Sequence, residues 1–153
     1  RACQIRHPNV AGLLEVKETP GGIVYATGEL LSGELLADIL SMHGPLTHAH
    51  AVDICLQTAA GVEAAHRVGV PHGSISPHTI LVMPDPGERP FVKLIRFDFS
   101  CYEREGGRFP VRPADRPYAS PERLAGGEAS DATYTARVRA RMPARSMRTS
   151  TRR

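Results

Sequence analysis

Pro71-His72-Gly73-Ser74-Ile75-Ser76-Pro77-His78-Thr79-Ile80-Leu81-Val82 is the stretch on which the reading of this 153-residue chain turns. It joins two different periodicities. Before it, Thr47 to Val68 carries Val52, Cys55, Leu56, Ala59 and Val62 at three- and four-residue steps, the spacing of one helix face. Thr47 suits the N-cap and Gly69 the C-terminal stop, and the pattern makes Cys55 a small core residue. After it, Thr79–Met83 and Phe91–Phe97 read as short strands, split by a Pro84-Asp85-Pro86-Gly87 turn. The residues from Pro71 to His78, with two prolines and a glycine, must therefore be a tight loop between a long helix and a hairpin.

Working outward, His7-Pro8-Asn9 is a turn signal, because proline biases His7 away from the helical region. Val10 to Val16 reads as a strand with Leu14 and Val16 on one face. Pro20-Gly21-Gly22 turns the chain, and Ile23-Val24-Tyr25-Ala26-Thr27 returns, giving an antiparallel hairpin. Glu34 to Met42 reads as a short helix stopped by His43-Gly44-Pro45. Downstream, residues 100–117 are polar and rich in Gly, Pro and Arg, which is the pattern of a long loop.

Composition narrows the classes. An apolar fraction of 41% and a charged fraction of 23% are ordinary globular values and exclude wholesale disorder, collagen-like repeats and a disulfide scaffold. No apolar run approaches the ~18 residues that a membrane span needs. The net charge of +3 hides an asymmetry: residues 132–153 hold seven Arg and no acid, so removing their +7 leaves −4 on residues 1–131. Cys3, Cys55 and Cys101 are odd in number and far apart, which fits reduced thiols in a cytoplasmic protein. His48 and His50 are two apart on a helix and point to opposite sides, and His66, His72 and His78 lack ligand spacing, so no metal site is expected. No G-x-S-x-G surrounds Ser74 or Ser76, which argues against a hydrolase nucleophile. The chain opens at Arg1 without Met, so a beginning farther upstream is expected.

The order of elements and several local strings resemble the middle of a protein kinase domain of the bacterial serine/threonine type. His7-Pro8-Asn9-Val10 resembles the turn between helix C and the fourth strand, and Tyr25 to Glu34 the last upper-lobe strand and the hinge. Gly28 falls at the gatekeeper position and Glu29 and Leu30 at hinge positions facing adenine. His72, Pro77, Ile80 and Leu81 match the catalytic loop H-R-D-L-K-P-x-N and its following strand, with Leu81 under adenine in an intact relative. Phe91-Val92-Lys93-Leu94-Ile95 resembles the strand into D-F-G, Pro117 to Glu122 the closing P-x-Y-x-A/S-P-E element, and Ser130-Asp131 the start of the central lower-lobe helix. The resemblance implies an α+β, protein-kinase-like but partial fold: the hinge plus the front half of the helical lower lobe. Residues 1–131 are its domain. Residues 132–153 are an Arg-rich tail, expected to be disordered or the product of a reading-frame shift near Asp131.

The same resemblance exposes what is missing. The family's catalytic Asp, which orients the substrate hydroxyl, is Ser74 here; such a loss costs ~10²–10⁴ in rate. The loop Lys is Ser76, the magnesium-binding Asn is Thr79, and the Arg after His72 is Gly73. Aligning on Val92-Lys93-Leu94 puts Arg96-Phe97-Asp98 at D-F-G, so the metal carboxylate becomes a guanidinium. A cation ~4 Å from Mg²⁺ meets repulsion of ~8 kcal/mol at an effective dielectric of ~20. The alternative register, Asp98-Phe99-Ser100, keeps a metal-capable Asp98 behind a strand two residues longer; the first is preferred because it keeps the strand's alternation.

Three functions stay open at this level. The leading one is an inactive kinase-like domain, a pseudokinase that scaffolds or regulates a protein partner, with no intact catalytic set, no metal and no cofactor. The alternative is a fragment of a serine/threonine kinase with residual ATP and Mg²⁺ binding and phosphotransfer to protein hydroxyls. The third confines nucleic-acid binding to the Arg-rich tail.

Overall fold

The computed structural model describes residues 2–84, 89–97, 113–119 and 121–125. The Pro84–Gly87 turn beyond Pro84, Asp98, Cys101, most of the polar loop, Ser130-Asp131 and the tail 132–153 lie outside the described residues.

The chain starts with a 3-10 turn at Ala2–Gln4 and then forms an antiparallel ribbon, β1 (Leu13–Glu18) and β2 (Val24–Gly28), with Val16 opposite Ala26. Its turn closes through Thr19, whose carbonyl accepts the Gly22 N–H at 2.9 Å, and Gly22 sits at a φ of +78° that a glycine adopts freely. The register shifts between Leu13 and Glu15. That bulge breaks the expected pairing of Leu14 with Val16 on one face: Leu14 is 66% exposed while Val16 is half-buried.

A second sheet of three antiparallel strands, in the order β3 (Glu34–Leu35), β4 (Ile80–Met83) and β5 (Phe91–Leu94), replaces the simple hairpin expected in this half of the chain. Glu34 and Leu35 were expected to begin a helix, but they pair with Val82 and Leu81, so α1 begins only at Leu36 and runs to His43. Helix α2 spans His48–Arg67 as read. The Thr47 hydroxyl accepts the His50 N–H at 3.2 Å, and Gly69, at a φ of +70°, returns its N–H to the His66 carbonyl at 2.9 Å. A short α3 covers Pro121–Leu124.

The core lies where α2 packs on β5. Val62, Ala65, Val92 and Leu94 are all fully buried there. The buried stripe of α2 is Ile54, Thr58, Gly61, Val62 and Ala65, so the helix is turned relative to the apolar spacing, and Cys55 is exposed rather than in the core. Gly61 explains the rotation: a Cβ there would meet the Asn9 carbonyl oxygen at 2.9 Å, so only glycine lets residues 9–10 lie directly on the helix. Those residues run alongside β5, Leu94 N–H to Asn9 O and Ala11 N–H to Leu94 O, each 2.8 Å. The Asn9 side chain donates to the Val92 carbonyl at 2.8 Å and to Gln57 Oε1 at 2.9 Å, while Gln57 accepts the Val92 N–H at 3.0 Å. The His7-Pro8-Asn9 turn is thus a polar rivet joining the start of the chain to α2 and β5.

Candidate functional site

The loop 71–79 leaves α2 through buried Val70 and Gly73, whose φ of +72° suits a residue without Cβ. His72 is fully buried. Its Nδ1 accepts the Ser74 N–H at 3.2 Å and its Nε2 donates to the Ile95 carbonyl at 3.0 Å, which fixes the proton on Nε2. The ring also meets Phe97 edge-on, with centroids 4.5 Å apart and planes at 68°. His72 thereby ties the loop to the segment after β5.

The hydroxyls turn inward from there. Thr79 Oγ1 accepts the Ser76 N–H at 3.0 Å and shares its proton between the carbonyls of Ser74 at 3.1 Å and Ser76 at 3.0 Å. The Thr79 N–H donates to the Ser76 carbonyl at 2.9 Å, closing a 3-10 turn over Pro77–Thr79. Ser76 Oγ donates at 2.6 Å to Oδ1 of Asp115, which belongs to a second 3-10 turn, Pro113–Tyr118. Ser76, Thr79 and Asp115 are all buried. The sequence-predicted positions Ser74, Ser76 and Thr79 therefore form one network; Asp115, drawn from a segment read only as loop, completes it.

Arg96 lies two residues beyond β5, exposed, at a φ of +71°, a left-handed conformation that costs a non-glycine residue about 1–2 kcal/mol. It lines a cavity of about 210 Å³ together with Ile5, Leu13, Gly28, Glu29 and Ile95. The Thr79 hydroxyl is already committed to the Ser74 and Ser76 carbonyls and Arg96 brings a guanidinium, so the described residues at positions 79 and 96 do not fit Mg²⁺. Among the described residues, no group of three or more His, Cys, Asp or Glu is placed to hold a metal.

The hinge positions are divided. Glu29 binds backward: its backbone N–H donates to the Gly12 carbonyl at 2.9 Å, while its carboxylate accepts the Gly12 N–H at 2.7 Å and Lys93 Nζ at 2.6 Å. The lysine holds the Glu29 carboxyl below its ordinary range, partial burial opposing it and the Gly12 N–H adding to it. Leu30 is wholly exposed, and Leu81 is half-buried in β4 opposite Lys93. Gly28 closes β2 with the Gly12 carbonyl 2.9 Å from where its Cβ would stand, so that carbonyl crowds any side chain at the position. Lys93 and Gln57 had no local signal in the sequence, since each acts on a residue more than thirty positions away.

The match to known proteins decides the family. The protein kinase domain family model matches residues 2–138. This chain belongs to the protein kinase domain family. Its bacterial relatives are serine/threonine kinases. It is 32% identical over 96 residues to the serine/threonine-protein kinase pkn3 of Myxococcus xanthus, covering 63% of this chain and 18% of that protein. To PknD of Mycobacterium tuberculosis it is 30% identical over 139 residues, covering 90% of this chain and 20% of that protein. The solved structure of Rad53 residues 1–466 with AMP-PNP superposes at a TM-score of 0.57 with 25% identity, over 63% of this chain and 25% of that one. The chain thus spans about a fifth of the length of these bacterial relatives. The kinase-like, mixed helix-and-sheet partial fold expected from the sequence is the fold observed. Among the described residues no helix is long and apolar enough to cross a membrane.

Proposed function

We propose that this kinase-like domain does not transfer phosphate and works as a scaffold or regulator of a protein partner in the cytoplasm. The supporting observation is the inward network at the catalytic loop. Ser76 and Thr79 stand where intact relatives carry Lys and Asn, and their hydroxyls are spent on the loop's own carbonyls and on Asp115. Phosphoryl transfer depends on positioning and charge stabilisation, and a neutral hydroxyl at Ser74 with a cation at Arg96 inverts the charge pattern that the reaction uses. Cys3 and Cys55 are free thiols, which supports the cytoplasmic part of the reading.

The test is phosphate incorporation from labelled ATP with Mg²⁺ or Mn²⁺ by the full-length protein. The wild type is expected to match a Ser74→Ala control. Turnover by the wild type that Asp98→Asn abolishes would overturn the proposal in favour of a slow kinase using Asp98 as its metal ligand.

A further inference from the structure

We draw no further inference here: the strongest candidate, the cavity of about 210 Å³ between the β1–β2 ribbon and the segment after β5, lined by Leu13, Gly28, Glu29 and Arg96, belongs to the site already described.

Discussion

The unit built from α2 and β5 and the ribbon of β1 and β2 are held by different forces. The first buries Val62, Ala65, Val92 and Leu94 completely. Of the second, no described residue is fully buried, and Leu14, Ile23 and Tyr25 at or beside its strands are exposed. Gly12 and Glu29 close the base of the ribbon on each other, and it is fastened to the rest through the Ala11 N–H on the Leu94 carbonyl and through Glu29 and Lys93. Hydrophobic burial thus sets the stability of one region, while a few polar contacts set the position of the other.

The hardest blow to that contrast is Leu94→Ala. Leu94 is fully buried at the centre of the core, and its truncation is expected to cost about 2–5 kcal/mol, read by urea unfolding followed through helix circular dichroism. A cost below about 1 kcal/mol would mean that the core is not the dominant hold. Asn9→Ala comes next. It removes the donors to the Val92 carbonyl and Gln57 and is expected to cost about 1–3 kcal/mol in the same assay.

Thr58→Val sharpens the picture from the other side. Thr58 Oγ1 is buried with no hydrogen-bond partner among the described residues, and valine keeps the shape while removing the stranded hydroxyl. A gain of about 1 kcal/mol is expected.

Lys93→Met should matter least to global unfolding, about 1 kcal/mol or less, because the pair it breaks is partly solvated. Its effect should instead fall on the ribbon, as faster amide exchange in β1 and β2. The pH dependence reports on two separate contacts. The Glu29 pKa is lowered, so its contribution is present above the ordinary carboxylate pKa of 4.5 and is lost as pH falls through the folded value. The His7 pKa is also lowered, chiefly by burial and secondarily by Arg67, against an opposing pull from Glu63. Its neutral ring accepts the Asn9 N–H at 3.2 Å, so this contribution is present above pH 6.5 and is lost on acidification. Amide exchange at the His7–Asn9 turn should therefore rise first as pH falls below 6.5, and exchange in β1 and β2 only as pH falls below 4.5.

The legible and illegible parts of the sequence divide along the same line. Both ends of α2 were readable because capping is local chemistry at Thr47 and Gly69. Which face of α2 is buried was not, because Gly61 and the approach of Asn9 set the rotation, and that approach spans more than fifty residues. Cys55 then falls outside and Thr58 inside, against their hydropathy. Glu34 and Leu35 look helical in isolation, but the open edge of β4 recruits them as a strand. At the candidate site, Ser74, Ser76, Thr79 and Arg96 were legible through resemblance alone, because a missing carboxylate is visible only against a pattern that expects one. Asp115 was not, since nothing in a polar segment tells which acid will find a hydroxyl 39 residues away.

The two-stranded ribbon also has a bearing on how the purified chain behaves. Among the described residues no third strand joins β1 or β2, so both sides of the ribbon offer main-chain donors and acceptors beside the exposed Leu14 and Ile23. Such rims are templates for pairing between molecules. In concentrated solution the ribbon should be the first place where one copy sticks to the next, and a charged residue in place of Ile23 should keep the preparation clear for longer.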